Sequence, residues 1–219
     1  KYMQTDLKKR LYILVMGYLG FVSFIHAADA YFPYTDQSYP RNVYFGDTHL
    51  HTDLSLDAYI FGNRLGPEEA YRFAKGETVA TSSGKKARLH RPLDFLVIAD
   101  HAINMGVINA VEGEDPSILK FERGRRWAAW LKKVKMIEQT DRTKSYETLT
   151  KLSSDGWGKG QVGDDKFSHS MWKEITALAD KHNDPGHFTA LIGYEWTGKF
   201  NLHRVVVFKD NAENASQIT

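Results

Sequence analysis

The chain has 219 residues, a formal charge of +2, 42% hydrophobic and 13% aromatic residues, and no cysteine. That is enough apolar material for one packed domain of ordinary size, and it excludes a disordered chain. The near-balanced charge, without a basic stripe interleaved with aromatics, argues against nucleic acid as a partner; the missing thiols exclude disulfides, cysteine-based zinc sites and thiol nucleophiles, so protein metal ligands must come from His, Asp or Glu.

Lys1, Lys8, Lys9 and Arg10 precede an apolar run from Leu11 to Ile25, and small residues follow at Ala27, Ala28 and Ala30. A basic head, a short apolar middle and A-x-A spacing predict a secretory signal peptide over residues 1–30, removed after Ala27, Ala28 or Ala30. The run is short for a membrane span, which needs about 20 apolar residues. An uncleaved anchor or a buried helix is the alternative. The expectation is a secreted or periplasmic bacterial protein with no stable membrane span after signal removal, its residues 31–219 forming one domain.

Tyr31 to Asn42 reads as a lead-in, and Val43 to His49 as the first strand. Side chains two apart on a strand share a face, so Asp47, His49 and His51 are expected to project together. Thr52 to Ala58 reads as a polar loop that offers Asp57 as a further candidate ligand. Pro67 to Gly76 is a short helix, with Pro in its first turn, two acids behind it and Gly as the stop. Glu77 to Arg91 is a polar loop or hairpin.

Pro92 to Ala99 is a continuous apolar run ending in Asp100-His101, the pattern of a parallel strand buried on both faces. Side chains at the carboxyl end of such a strand lie where α/β barrels and open sheets place their sites. Pro116 to Gln139 has apolar residues at helical spacing and predicts one amphipathic helix. Thr140 to Ser168 reads as a long loop with room for one helical turn; its glycines follow no strand and do not match a phosphate-binding loop. Met171 to His182 is a helix closed by Asn183-Asp184-Pro185-Gly186, Phe188 to Trp196 a third buried strand, and Leu202 to Phe208 the last strand. The polar tail from Lys209 carries no closing element, and its Asn214-Ala215-Ser216 triplet is a chance-level glycosylation sequon.

Imidazoles and carboxylates thus recur near strand ends: His49 and His51, Asp100 and His101, Glu195, and His203. One histidine near a strand end is an ordinary structural residue, and one glutamate an ordinary salt-bridge partner. Their recurrence points to a His/Asp/Glu metal centre. A carboxylate such as Glu195 would suit a bridge between two ions about 3.5–4 Å apart, as in many phosphatases.

Gly46-Asp47-Thr48-His49-Leu50-His51-Thr52, with Ser55 and Asp57-Ala58 behind it, resembles the first motif of the PHP (polymerase and histidinol phosphatase) superfamily. The segments Arg91 to His101, Asn183 to Gly186, Gly193 to Thr197 and Asn201 to Arg204 are similar to one branch of it, the DUF3604 family of exported, largely uncharacterised proteins. The resemblance implies an α/β fold, a distorted (β/α)7 barrel with two or three divalent ions (Zn, Mn or Fe) at its mouth. It further implies that His49 and His51 bind one ion, that Glu195 bridges it to a second held by His203, and that His101 and Asp57 serve a third. Asp100 would orient a ligand, and Arg204 would meet a substrate anion through its planar fork. Ile103 and Val205 depart from the family pattern, where many relatives carry an acid and an Asn. The family's later His and Asp-x-His ligands would lie beyond Thr219, which makes this chain the amino-terminal part of an otherwise incomplete barrel.

The function expected on these grounds is an exported metal-dependent hydrolase, a phosphoesterase acting on a small anionic ester through metal-activated water. Two alternatives stand beside it. An amidohydrolase also opens with H-x-H on its first strand, and a catalytically idle metal-binding or scaffold domain would keep the ligands without turnover.

Overall fold

The computed structural model describes residues 42–138, 143, 146–147, 150–152, 154–155, 160–198 and 202–218. The proposed signal peptide and most of the lead-in lie outside the described residues. Among the described residues no helix is long and apolar enough to cross a membrane.

A three-stranded parallel sheet in the order β1-β4-β5 organises the domain from residue 44 onward: β1 Gly46–Leu50, β4 Phe95–Ile98 and β5 Thr189–Leu191. β4 takes the centre because it is apolar on both faces; Leu96, Val97, Ile98 and Ala99 are all buried. Such side chains contribute about 1.5–3 kcal/mol each for the larger ones, which fixes this strand as the middle of the layer. β1 begins three residues later than its apolar approach suggests; Val43, Tyr44 and Phe45 are exposed, and Phe45 meets β4's approach through the Asp94 amide, which donates to its carbonyl at 2.7 Å.

Between β1 and β4 come α1 Leu56–Ile60, α2 Pro67–Ala74 and an antiparallel hairpin of β2 Val79–Ala80 with β3 Lys86–Ala87. The segment expected as a polar loop through Ala58 therefore turns helical at Leu56. Leu56, Tyr59 and Ile60 bury there, and that packing outweighs a weak local propensity.

The connection from β4 to β5 is helical. α3 Val107–Glu112 packs its buried valines and isoleucine against α1 and against the helix that begins at Glu122. The single helix expected over 116–139 is two, α4 Pro116–Leu119 and α5 Glu122–Glu138. The break is tied down: the Arg125 guanidinium donates to the Leu119 and Lys120 carbonyls at 2.9 and 2.8 Å. A Cβ at Gly124 would run into the Ile118 carbonyl, so only glycine lets the two helices meet this closely. The region expected as a long loop with one helical turn holds helical residues at 150–152 and 154–155, and buried Asp155 accepts from Arg126 at 2.8 Å and from the Trp127 indole at 3.0 Å.

α6 Asp165–His182 starts six residues before Met171, the start expected from sequence. Asp164 caps it by accepting from the Phe167 amide, and Phe167 buries. The apolar run at 188–196 is two strands, because β6 Gly193–Thr197 leaves the parallel sheet and pairs antiparallel with β7 His203–Val207. A Cβ on Gly193 would sit 2.5 Å from Val97 Cγ1 and 2.8 Å from the Val206 carbonyl, so this crossing also needs glycine. The polar tail does close on an element, α7 Ala212–Ala215, whose Ala215 carbonyl accepts from the Trp172 indole at 2.9 Å.

Candidate metal centre

β6 carries the site's central carboxylate to the right place. After β4 ends, the chain continues through Asp100-His101-Ala102, and β6 runs parallel beside it. The Glu195 amide donates to the Asp100 carbonyl at 2.9 Å, and the Ala102 amide donates to the Glu195 carbonyl at 2.9 Å. Glu195 is thereby set next to His101. β7 then returns antiparallel, with His203 opposite Thr197 and Val205 opposite Glu195.

Glu195 is buried, its side chain only 3% exposed, and four imidazoles face it. Oε1 lies 2.9 Å from His49 Nε2 and 3.2 Å from His203 Nδ1. Oε2 lies 2.7 Å from His101 Nδ1 and 3.4 Å from His51 Nε2. Asp57, from the first turn of α1, closes the other side at 3.2 Å from His101 Nε2 and 3.6 Å from His51 Nδ1. The rings of His49 and His51 stand 5.1 Å apart, those of His51 and His101 4.7 Å, and those of His101 and His203 5.2 Å.

Three overlapping donor groups result: His49–His51–Glu195, His51–Asp57–His101, and His101–Glu195–His203, each with its ligand atoms within 4.8 Å of one another. Every pair of groups shares one residue. The spacings suit ions bound at about 2.0–2.2 Å, which hold tetrahedral donors about 3.4 Å apart.

The donor chemistry fits a cation better than a plain hydrogen-bond network. A neutral imidazole has one N–H, yet carboxylate oxygens face both nitrogens of His101. His51 Nδ1 and Glu195 Oε2 are buried, and none of their contacts, with Asp57 Oδ1 at 3.6 Å for the first and with His101 Nδ1 at 2.7 Å and His51 Nε2 at 3.4 Å for the second, has hydrogen-bond geometry. Buried polar atoms left so are costly unless something positive meets them. Charge coupling runs the same way. Burial opposes the charged form of His51, but the adjacent Asp57, with Asp100 and Glu195 behind it, raises its pKa on balance. Burial likewise opposes the Asp57 carboxylate, yet His101 and His51 beside it hold its pKa far below the carboxylate range.

The six residues expected as ligands from sequence are thus brought together. Asp47 is not with them, since its Oδ1 turns back to accept from the His49 amide at 2.8 Å. Asp100 lies one layer behind and is fully buried. It accepts from the Thr52 amide and hydroxyl, both at 2.6 Å, and from the Ser55 hydroxyl at 2.7 Å. Ser55 Oγ in turn accepts from the His101 amide at 3.1 Å. Asp100 therefore ties the loop after β1 to the end of β4 and positions His101 through Ser55. Burial pushes its pKa up despite these bonds.

Arg204 stands in register with Trp196, one residue from His203, and strand alternation turns it to the opposite face of the β6–β7 pair. From there its guanidinium would have to reach round the strand to meet an anion at the cluster. Sequence reasoning gave no role to Thr52 or to Thr197, whose hydroxyl lies 2.9 Å from His101 Nδ1. Their partners are 48 and 96 residues away, so no local pattern marks them.

These features define a mixed α/β protein with a buried histidine–carboxylate cluster of metal-binding geometry. The model of the DUF3604 family, described as a protein of unknown function, matches residues 38–219, and the chain belongs to that family. Comparisons with curated proteins and with solved structures give no match.

Proposed function

We propose that the protein is an exported, metal-dependent hydrolase of phosphate esters, built on the plan of the PHP superfamily. The observation that carries the reading is the set of three donor groups that share His51, His101 and Glu195 pairwise. A parallel sheet whose β1 and β4 deliver His51, Asp100 and His101 at their carboxyl ends supports a barrel-type architecture. Export rests on the basic-apolar-small pattern of residues 1–30.

His49, His51 and Glu195 would hold one divalent ion, His203 with Glu195 and His101 a second, and Asp57 with His51 and His101 a third. Ions there would supply Lewis acidity toward the phosphoryl oxygens and a lowered pKa for water. The chain's own residues do the rest by position. Glu195 fixes the spacing between neighbouring groups, because both of its oxygens are committed to imidazoles. Thr52, Ser55 and Asp100 lock the His101 backbone, and Thr197 sits against its Nδ1. In the overall reaction water adds to phosphorus, the P–O bond to the alcohol breaks, and the alcohol leaves with a proton.

The test is hydrolysis of a phosphomonoester panel by the full-length protein loaded with Mn²⁺ or Zn²⁺. Turnover is expected, and His49→Ala should lower it by about a hundredfold or more, at the upper end of what disturbed metal shells lose. Full metal occupancy without turnover on a broad panel would overturn the hydrolase reading and leave a metal-binding domain.

A further inference from the structure

Beside the cluster, a groove of about 190 Å³ opens between the end of β1, α2 and the β2–β3 hairpin. His51 and Thr52 form one wall, so the groove begins at a residue shared by two of the donor groups. The remaining walls are mainly apolar, with Leu65, Phe73, Val79 and Ala87 among them. Among the described residues no lysine or arginine lines it, and Glu69 is the carboxylate at its edge.

We propose that this groove receives the alcohol portion of the substrate, and that this portion is an uncharged group the size of one aromatic ring. The inference rests on the ester-hydrolase reading above. Size supports it, since an apolar cavity of about 150 Å³ accommodates benzene. Charge supports it as well. A second phosphate or a nucleotide diphosphate would meet Glu69 and no basic side chain in the groove wall, since Arg64 and Arg72 line the adjoining cavity instead, and a polyhydroxyl sugar would leave most of its hydroxyls against aliphatic walls. An aryl or compact branched alkyl group would bury against Phe73 and Val79 while its phosphoryl end lies toward His51.

The test uses phenylphosphonate and methylphosphonate, which cannot be hydrolysed, titrated into the metal-loaded full-length protein by calorimetry. Phenylphosphonate should bind about tenfold more tightly, the gain expected from burying part of one ring. Ala87→Trp, which fills the groove, should bring the ratio of the two affinities close to one. Phe73→Ala, which removes a wall instead, should do the same, and circular dichroism checks that each variant is folded. Equal affinities in the unaltered protein, binding of neither ligand, or a preference that survives both substitutions would overturn the proposal. Preferential binding without turnover of any ester would support the groove and overturn only the hydrolase reading. Equal hydrolysis of methyl and phenyl phosphate would do the reverse.

Discussion

Replacing Asp100 tests the layer on which the site rests. Its carboxylate receives three short hydrogen bonds, from the Thr52 amide, the Thr52 hydroxyl and the Ser55 hydroxyl, at 2.6–2.7 Å in a fully buried position. Asp100→Ala strands three buried donors, each at about 1–3 kcal/mol, and opens a small cavity. Part of that is recovered, because the charge itself is costly to bury and hydroxyls can rotate to other acceptors. The net loss should be about 3–5 kcal/mol in urea unfolding of the metal-free protein at pH 7. Asp100→Asn keeps the shape and should cost about 1–2 kcal/mol, since one amide edge then faces a donor. The two variants also differ in pH dependence. Burial raises the folded pKa of Asp100. The unfolded chain therefore releases this proton first, near pH 4, and the folded protein loses stability as pH rises from there through the raised value. Asp100→Asn should remove that part of the slope. A loss below about 1 kcal/mol for Asp100→Ala, or an unchanged pH slope in the Asn variant, would refute the reasoning.

Three further substitutions probe independent features. Asp57→Asn should lower the pKa of His51 in the metal-free protein, because Asp57 is the main group raising it; an unchanged imidazole titration by NMR would contradict this. Glu68 links α2 to α6 through His182 and Lys181, both at 2.9 Å, and these partners lower its pKa to about 2. Its stabilising effect is full above the ordinary glutamate value and is lost as pH falls through about 2, so the gap in Tm to Glu68→Gln should close in acid. With Glu68 more than one-third exposed, solvent screening keeps the effect near or below about 1 kcal/mol. Gly124→Ala would ordinarily favour a helix by about 1 kcal/mol, but the Ile118 carbonyl occupies the space needed, so a net loss of about 1–3 kcal/mol in chemical denaturation is expected.

The candidate ligands were legible in the sequence because each lies beside a pattern with its own physical meaning. The unbroken apolar run before Asp100-His101 marks a doubly buried strand, and β4 is one. Pro67, Glu68 and Glu69 mark a helix start, and α2 begins there. Where local pattern and tertiary packing disagreed, packing decided. α1 forms because Leu56, Tyr59 and Ile60 find a core, although Thr52, Asp53, Ser55 and Asp57 give the segment the look of a polar loop. α3 is short and rich in β-branched residues, so no helical period stands out, yet Val107, Ile108 and Val111 bury completely or nearly so. The division of the 188–196 run at Ile192 depends on what Gly193 meets, Val97 and Val206, and neither is local. The bond from Thr52 to Asp100, the approach of Thr197 to His101 and the groove wall at Val79 and Ala87 belong to the same class, since only the folded chain makes them.

Divalent metal bound per chain tests the central claim most directly. Elemental analysis of the full-length protein, after loading with Zn²⁺ or Mn²⁺ and removal of loosely held ions, should give at least two ions per chain if the overlapping donor groups are metal sites. Glu195→Ala should lower that number, because its carboxylate belongs to two of the three groups. No retained metal in the unaltered protein, or the same content with and without Glu195, would contradict the account.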